Sequence, residues 1–214
     1  MLIGAKIYKS GLATHGGSGI SRGVIESIRQ ERPKAKFLEL VHRLDKDTSG
    51  CLMIAKKRSV LLALQAAIIS KNITKTYELL VKERWPTRRE RVCAPLLKNQ
   101  LKSGQRVVVV DSRGKHSITN FKILRLFKHN TLLQASIVTG RTHQIRVHCQ
   151  SVGQPIAGDL RYGEKKYNSQ LRLAGLRRLF LHASSLSFNH PTSGEFFTVK
   201  APLPGTLKKV LGRL

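Results

Sequence analysis

Residues 42–50 read HRLDKDTSG, and this short polar stretch separates two apolar segments of the chain. Residues 37–41 are mostly apolar before it, and the run CLMIAKK begins at Cys51 directly after it. An apolar run of this length is typical of a buried β-strand. We therefore predict that residues 42–50 form a loop leading into a strand, with Asp45 on the loop.

The same loop holds half of the chain's aspartates. There are only four aspartates, and two of them, Asp45 and Asp47, lie here near Arg43, Lys46 and Lys56. Positive neighbours favour the ionised form of a carboxyl group, which keeps it available as a nucleophile. Turn aspartates also hydrogen-bond the loop backbone, and spacing alone leaves both roles open for Asp45. For Asp47 the backbone role is the better interpretation.

A second polar segment, TGRTHQIRVH at residues 139–148, is predicted to open a helix. We expect Thr142 to cap this helix and Gly153 to end it. Helical spacing then assigns Arg146 and Gln150 to a face turned away from a buried apolar face. That apolar face consists of Ile145, Cys149 and Val152.

Two arginines of this segment are candidates for binding negative charge. Arg141 precedes the helix, where its guanidinium and the first backbone amides would hold a phosphate. Arg146 suits a two-point pair with a carboxylate across a cleft. A solvated basic helix face is the alternative interpretation. His143 and His148 do not share a helix face, and the sequence has no metal-ligand spacing, so no metal site is predicted.

The remaining patterns predict a strand-rich chain. Helices are expected from Val24 to Pro33, from the cap Ser59 to residue 71, and from Thr206. The helix after Ser59 is apolar nearly all round and is predicted to be buried. Short connections favour an α+β fold, in which helices flank a mixed, mostly antiparallel sheet. The predicted strands are YELLVK from Tyr77, RVVVVD from Arg106, SITNFKILRLF from Ser117, TLLQASIV from Thr131, LFLHASSLSF from Leu179 and EFFTVKA from Glu195.

Composition points to a polyanionic partner. The 214 residues include 39 Lys and Arg against 12 Asp and Glu, a formal charge of +27. Basic residues run from Lys6 to Arg213, so the folded surface should be positive and nucleic acid is the expected partner. Cys51, Cys93 and Cys149 are predicted to be reduced core thiols, which favours the cytoplasm. No apolar run approaches the ~20 residues of a membrane span, so no membrane association is expected.

The segment HRLDKDTSG resembles the HRLDxxTSG motif of the RluA family of pseudouridine synthases. The resemblance covers nearly the whole chain and looks closest to members that modify 23S rRNA of the large ribosomal subunit. It implies the pseudouridine synthase fold, built around a central RNA-binding cleft. Segments similar to other family motifs follow in the expected order: KTYELLV at 75–81, TGRTHQIRVH at 139–148, PIAGDLRYG at 155–163 and RLFLHA at 178–183.

The resemblance also implies roles for individual residues in a reaction that needs no cofactor and no metal. Asp45 would be the nucleophile, Tyr77 would stack on the uracil and help to remove a proton, and Arg146 would form a salt bridge with Asp45. The base must first leave its stack. Attack on the ribose, addition to the uracil and stabilisation of an elimination all remain open for Asp45. The implied substrate-binding and RNA-binding residues are Arg43, Arg141, His143 and Leu181.

Two features depart from the family pattern. KSGLATH at residues 9–15 lacks a proline that usually follows the lysine, so we expect an altered loop near His15. We expect residues 1–214 to be one catalytic domain, acting as a monomer, without the N-terminal S4-type RNA-binding domain usual in this subgroup. A non-catalytic rRNA-binding or ribosome-assembly protein is the main alternative function. A metal-free ribonuclease with two catalytic histidines is a third hypothesis.

Overall fold

The structure is a computed structural model that describes residues 3–8, 10–11, 14–15, 23–100 and 106–214. Its chain divides into two compact units: unit 1 is Met1–Lys75 with Ala183–Pro202, and unit 2 is Thr76–His182 with Leu203–Leu214. In chain order the elements are β1 (Ile3–Tyr8), α1 (Val24–Glu31), β2 (Glu39–Leu40), β3 (Ser49–Ala55), α2 (Arg58–Ile69), β4 (Ile73–Lys82), β5 (Arg91–Cys93), β6 (Leu96–Gln100), β7 (Arg106–Val110), β8 (Ile118–Leu126), β9 (Asn130–Ile137), α3 (Gln144–Ser151), α4 (Lys165–Leu173), β10 (Leu181–Asn189), β11 (Phe196–Lys200) and α5 (Gly205–Leu211).

Unit 1 is organised around β3, which is buried along its whole length. It pairs antiparallel with β1, with Ile3 opposite Ala55, and with β2. Its neighbour on the other side is β10, whose unit 1 residues pair antiparallel with β11. Apolar side chains from β3, β10 and α2 form one core, which includes Met53, Val60, Leu64, Leu186 and Phe188. Burial on both faces explains why the sequence after residue 50 is continuously apolar instead of alternating.

In unit 2 the strands β4, β9, β8 and β5 lie side by side, and each neighbouring pair is antiparallel. β6 and β7 form a separate antiparallel pair. The helices α4 and α5 cover apolar residues of the sheet, so that Tyr167, Leu171, Leu207 and Val210 share a core with Phe180. The predicted α+β class with a mostly antiparallel sheet is confirmed.

Most predicted elements are present with shifted bounds. α1, α5 and the strand after the HRLDKDTSG loop are confirmed. The six predicted strands correspond to β4, β7, β8, β9, β10 and β11, although β4 begins at Ile73 instead of Tyr77. β2, β5 and β6 are short elements that the patterns did not predict.

The prediction of a fully buried helix after Ser59 is wrong. α2 begins at Arg58 with Lys57 as its N-cap, and only Val60 and Leu64 are buried. Leu62 is 57% exposed and Ile69 is 82% exposed. An apolar pattern all round a helix permits burial on every side, but a covering layer must also be present. In the described part of unit 1, the strands cover one face of α2.

The sequence analysis also missed one helix and misjudged the burial of one cysteine. α4 was not predicted, because the polar sequence KKYNSQLRL has few apolar residues; its buried side chains are Tyr167, Asn168 and Leu171. Cys51 and Cys149 are buried free thiols as expected, but Cys93 is exposed. It lies on β5, the outer strand of its sheet in unit 2, where alternate residues face outward.

Candidate active-site residues

The HRLDKDTSG segment of unit 1 forms the predicted loop between β2 and β3. Asp45 is half-buried between the buried residues Leu44 and Thr48, and the Thr48 backbone N–H donates to the Asp45 carbonyl at 2.9 Å. This turn fixes the backbone from which the Asp45 side chain projects. Arg43 and Asp47 are exposed, in agreement with a peripheral position on the loop.

Two residues of the altered KSGLATH segment hold this loop from the side. The Ser10 hydroxyl donates to the Asp47 carbonyl at 2.8 Å. The Gly11 backbone N–H donates to the Lys46 carbonyl at 2.9 Å. The loop thus has contacts to residues 10–11 although the family's proline is missing. Lys9, Leu12 and Ala13 of the segment lie outside the described residues.

Gly50, at the end of the loop, is required by close packing in unit 1. Its φ is +118°, a value that residues with a side chain rarely adopt. A Cβ atom at this position would lie 2.1 Å from the carbonyl oxygen of Ala183. β3 and β10 therefore approach closely just where the loop enters the sheet.

His42, the first residue of the motif, is a structural acceptor. Its Nε2 accepts the backbone N–H of Met53 at 3.2 Å, which requires a ring nitrogen without a proton. Burial, together with the nearby charge of Lys75, lowers the pKa of His42 to about 3. The imidazole is therefore neutral at physiological pH, and it ties the loop to the following strand.

In unit 2, Tyr77 lies on β4 opposite Ala135 of β9. Its side chain is buried against the sheet, with 7% of its surface exposed. A small residue at the facing position leaves room for the ring. The backbone of Tyr77 is thus held by strand pairing, and its side chain is largely buried.

Arg146 forms a buried two-point ion pair in unit 2. Its Nε donates to Asp159 Oδ2 at 2.7 Å and its Nη2 donates to Asp159 Oδ1 at 2.9 Å, with both side chains almost fully buried. The Tyr162 ring lies 5.0 Å from the guanidinium carbon. The expected outward-facing position of Arg146 is wrong, because α3 buries Gln144, Arg146 and His148 as well as its apolar residues. Asp159 supplies the negative charge that makes this burial possible.

The Asp159 carboxylate is itself held by the backbone. Its Oδ1 also accepts the backbone N–H groups of Arg161 and Tyr162 at 2.9 and 3.0 Å. Burial by itself would raise the pKa of Asp159, but the hydrogen bonds and charge of Arg146, with these two amides, lower it. The side chain of Asn168 binds both Gly158 N–H and the Asp159 carbonyl at 2.9 Å. Asp159 is therefore a fixed anion.

His143 also belongs to this network. Its Nδ1 lies 2.7 Å from the Tyr162 hydroxyl, which accepts the backbone N–H of Val108 at 2.9 Å. His143 has a left-handed backbone, with φ of 54°, and occupies the N-cap of α3. The predicted cap Thr142 is therefore wrong by one residue. The left-handed conformation at the cap turns the chain sharply into the helix.

The remaining predicted residues have different degrees of exposure. Arg141 is exposed, and its Nε donates to the His116 carbonyl at 3.4 Å. Leu181 is buried, and its carbonyl accepts an N–H of Arg178 Nη2 at 3.3 Å. His182, the residue after Leu181, is fully buried. His148 is also buried and contacts Thr119 Oγ1 at 2.9 Å.

Sequence reasoning missed Asp159, Tyr162 and Asn168 as functional candidates. The available signal was PIAGDLRYG, which contains one of only four aspartates. Within the described ranges, no three His, Cys, Asp or Glu residues are grouped so that they could hold a metal ion. No helix in the described part of the chain has the length and apolar character needed to cross a membrane.

The RNA pseudouridylate synthase family model matches residues 9–151, which is more than half of the chain. The chain therefore belongs to the RNA pseudouridylate synthase family, and the predicted membership is confirmed. Its fold matches that of human RNA pseudouridylate synthase domain containing 4, with a TM-score of 0.78, 22% identity and coverage of 99% of this chain and 89% of that one. Human RNA pseudouridylate synthase domain containing 1 gives a TM-score of 0.70 at 26% identity, covering 93% and 83%.

Similar curated proteins carry the name ribosomal large subunit pseudouridine synthase C. The one from Pasteurella multocida is 54% identical over 205 residues, which are 96% of this chain and 63% of the relative. The one from Escherichia coli K12 is 53% identical over 207 residues, 96% of this chain and 65% of the relative. The predicted similarity to pseudouridine synthases named for the large ribosomal subunit is confirmed. The chain spans just under two thirds of the length of these relatives.

Proposed function

We propose that this chain is the catalytic domain of an enzyme that isomerises specific uridines of large-subunit 23S rRNA to pseudouridine. The observation that carries the proposal is the position of Asp45 within the family motif. It is half-buried on a loop that the Thr48–Asp45 turn, Ser10 and Gly11 hold in place. Because the backbone of this loop is held in place, positioning the Asp45 carboxylate against a substrate costs less conformational entropy.

The proposed reaction detaches uracil from C1′ of the ribose, rotates the base, and joins C5 of the uracil to C1′. The atoms balance within the nucleotide, because the proton lost from C5 is replaced by a proton at N1. No oxidant, metal or cofactor enters this balance. Asp45 supports it by attack on the ribose, by addition to the uracil or by stabilising charge during elimination. The uridine must be flipped out of its stack to reach the carboxylate.

The other residues have supporting roles in this proposal. Arg146 forms a salt bridge with Asp45, and Tyr77 stacks on the flipped uracil and assists proton removal. The guanidinium of Arg146 has further N–H donors beyond the two that bind Asp159. Arg43 occupies the space left by the base, Arg141 and His143 contact the RNA, and Leu181 is the apolar residue beneath the active site. We further propose that residues 1–214 act as one catalytic domain, as a monomer, in the cytoplasm.

Replacing one carboxylate tests the proposal. Asp45→Asn keeps the size and hydrogen-bonding shape of the side chain but removes its charge. We expect it to abolish pseudouridine formation in a 23S rRNA transcript, while RNA affinity and its salt dependence change little. Asp47→Asn is the matched control, because Asp47 is exposed on the same loop and the charge change is identical. Full turnover by Asp45→Asn would contradict the proposal.

A non-catalytic rRNA-binding protein is the second candidate, supported by the formal charge of +27. It predicts tight, salt-sensitive binding with no pseudouridine formed by the wild-type protein. The same assay therefore separates the two functions. Cleaved RNA strands after incubation would instead support the ribonuclease hypothesis.

A further inference from the structure

The connection between β4 and β5 displays four exposed arginines. Residues 83–91 read ERWPTRRER, and Arg84, Arg88, Arg89 and Arg91 all project into solvent; we name this segment the arginine loop. Within the part of the chain that the structure describes, none of their guanidinium groups forms an ion pair with a carboxylate. The segment also contains Glu83 and Glu90, so four arginines against two glutamates give it a formal charge of +2.

A buried tryptophan anchors the arginine loop to the sheet of unit 2. Trp85 is 3% exposed, and its ring packs against Phe121 of β8 with centroids 4.6 Å apart. Its indole Nε1 donates to the Arg89 carbonyl at 2.8 Å, and its backbone N–H donates to Thr131 Oγ1 at 3.0 Å. The hydrogen bond from Trp85 to Arg89 therefore closes residues 85–89 into a compact turn, and Trp85 attaches this turn to the sheet.

Both ends of the arginine loop are also hydrogen-bonded to the sheet. The Thr131 hydroxyl donates to the Glu83 carbonyl at 2.8 Å. The Phe121 backbone N–H donates to the Glu90 carbonyl at 2.7 Å. The Arg89 backbone N–H donates to the Pro86 carbonyl at 2.9 Å and forms a turn in the middle. The backbone beneath the four arginines is therefore rigid.

Four arginines on a backbone held in this way are suited to bind a polyanion. Like charges that are held close together repel one another, and a bound anion removes that repulsion. Arginine presents a planar fork of N–H donors that matches a phosphate group. A rigid backbone reduces the conformational entropy that binding must overcome. A protein side chain carboxylate would satisfy one arginine, whereas an RNA backbone offers phosphates at regular intervals.

We propose that the arginine loop binds backbone phosphates of the RNA substrate, and none of its residues is among those proposed for catalysis. The proposal rests on the proposed RNA substrate. Contacts to phosphates carry no sequence information, so the loop contributes affinity and orientation but does not choose the uridine.

The test removes three charges from the arginine loop by Arg84→Gln, Arg88→Gln and Arg89→Gln. The matched control removes three charges from an exposed part of unit 1 by Arg32→Gln, Lys34→Gln and Lys36→Gln. Binding of a protein-free 23S rRNA fragment is measured from about 0.05 to 0.3 M salt. We expect the slope of log affinity against log salt to fall by about two for the loop variant, since each phosphate contact contributes about 0.7–0.9.

Equal slopes and affinities for the loop variant and the control would overturn the proposal. A third variant replaces the same three arginines with lysine, which keeps the charge and should keep the slope within about 0.5 of wild type. If the lysine variant lost as much slope as the glutamine variant, charge would not be the cause and the proposal would be wrong. The melting temperature of each variant shows whether it is folded.

Binding is measured independently of turnover, so the two proposals fail differently. If wild-type protein formed no pseudouridine but the loop variant still lost slope, the proposed reaction would be wrong and the phosphate surface would stand. If the loop variant bound protein-free rRNA like wild type but lost binding to a ribosomal particle, the loop would bind protein and the surface proposal would be wrong.

Discussion

Arg146 and Asp159 form a two-point ion pair in which both side chains are almost completely withdrawn from solvent. The Tyr162 ring lies against the guanidinium, and the Arg161 and Tyr162 amides hold the carboxylate. The guanidinium and the carboxylate pair with each other, and the two amides also bind the carboxylate. These contacts offset the free-energy cost of removing the two charges from water. The pair thereby fixes Arg146, the arginine that we propose to interact with the nucleophile.

Asp159→Asn tests this pair, because asparagine keeps an acceptor for the two amides but removes the negative charge that Asp159 places against the buried Arg146 guanidinium. We expect the free energy of unfolding to fall by about 3–5 kcal/mol in urea titrations. Adding Arg146→Met removes the other charge of the pair as well, so the double variant should be more stable than Asp159→Asn alone. A double variant whose loss equals the sum of the two single losses would contradict the coupling.

The neutral His42 predicts a loss of stability in mild acid. An unfolded histidine binds a proton below its ordinary pKa of 6.5, whereas the folded His42 does so only near its pKa of about 3. The unfolded state therefore binds more protons as pH falls from about 6.5 towards 3, and stability decreases.

The expected contribution is at most about 1.4 kcal/mol per pH unit for a single proton, measured as the free energy of unfolding between pH 7 and pH 4.5. Burial also lowers the pKa of His148, so wild type must be compared with a variant of His42 alone. His42→Gln retains an acceptor for the Met53 amide and should flatten the pH dependence. Parallel curves for the two proteins would show that His42 does not titrate as expected.

Gly50→Ala should be among the most damaging single-methyl additions in unit 1. The new Cβ would lie 2.1 Å from a backbone oxygen of Ala183 at a φ of +118°. We expect a loss of about 3 kcal/mol or more in thermal or urea unfolding. Gly153→Ala is the control, because its φ is +79° but nothing lies within 4 Å of the added atom. It should cost only about 1 kcal/mol, and an equal loss in both variants would remove the close contact as the cause.

Tyr77→Phe separates the ring of Tyr77 from its hydroxyl. If the hydroxyl assists proton removal, kcat for pseudouridine formation should fall about 100-fold or more while RNA affinity stays within about twofold. Tyr167→Phe is the control, since Tyr167 is another buried tyrosine of unit 2 and its hydroxyl donates to Asn130 at 2.6 Å. It should lower stability without changing kcat. Full activity of both variants would remove the Tyr77 hydroxyl from the mechanism.

The parts of the site that could be predicted from sequence are those defined by neighbours along the chain. The polar HRLDKDTSG segment between two apolar runs predicted a loop entering a buried strand, and β3 confirms it. Helical spacing likewise located α3, although its cap is His143 and not Thr142. These features depend on local alternation of polar and apolar residues, which is visible in the sequence.

Partners that come from elsewhere in the chain were not predictable in the same way. Arg146 was expected to face outward because its spacing set it apart from the apolar residues of α3. Its burial depends on Asp159, 13 residues further on and beyond the end of that helix. Buried charged side chains are normally paired with an opposite charge. The periodicity of apolar residues in a helix does not show which residue from elsewhere in the chain supplies that charge.

The sequence by itself therefore determined the candidate nucleophile Asp45, the family to which the chain belongs, and the strongly basic character of its surface. Only the tertiary structure decided that Asp159 fixes Arg146, that Gly50 must lack a side chain beside Ala183, and that Trp85 holds four arginines on a rigid loop. The physical reason is that each of these contacts is made between segments far apart in sequence. Their strength depends on distance and burial, and the order of residues alone specifies neither.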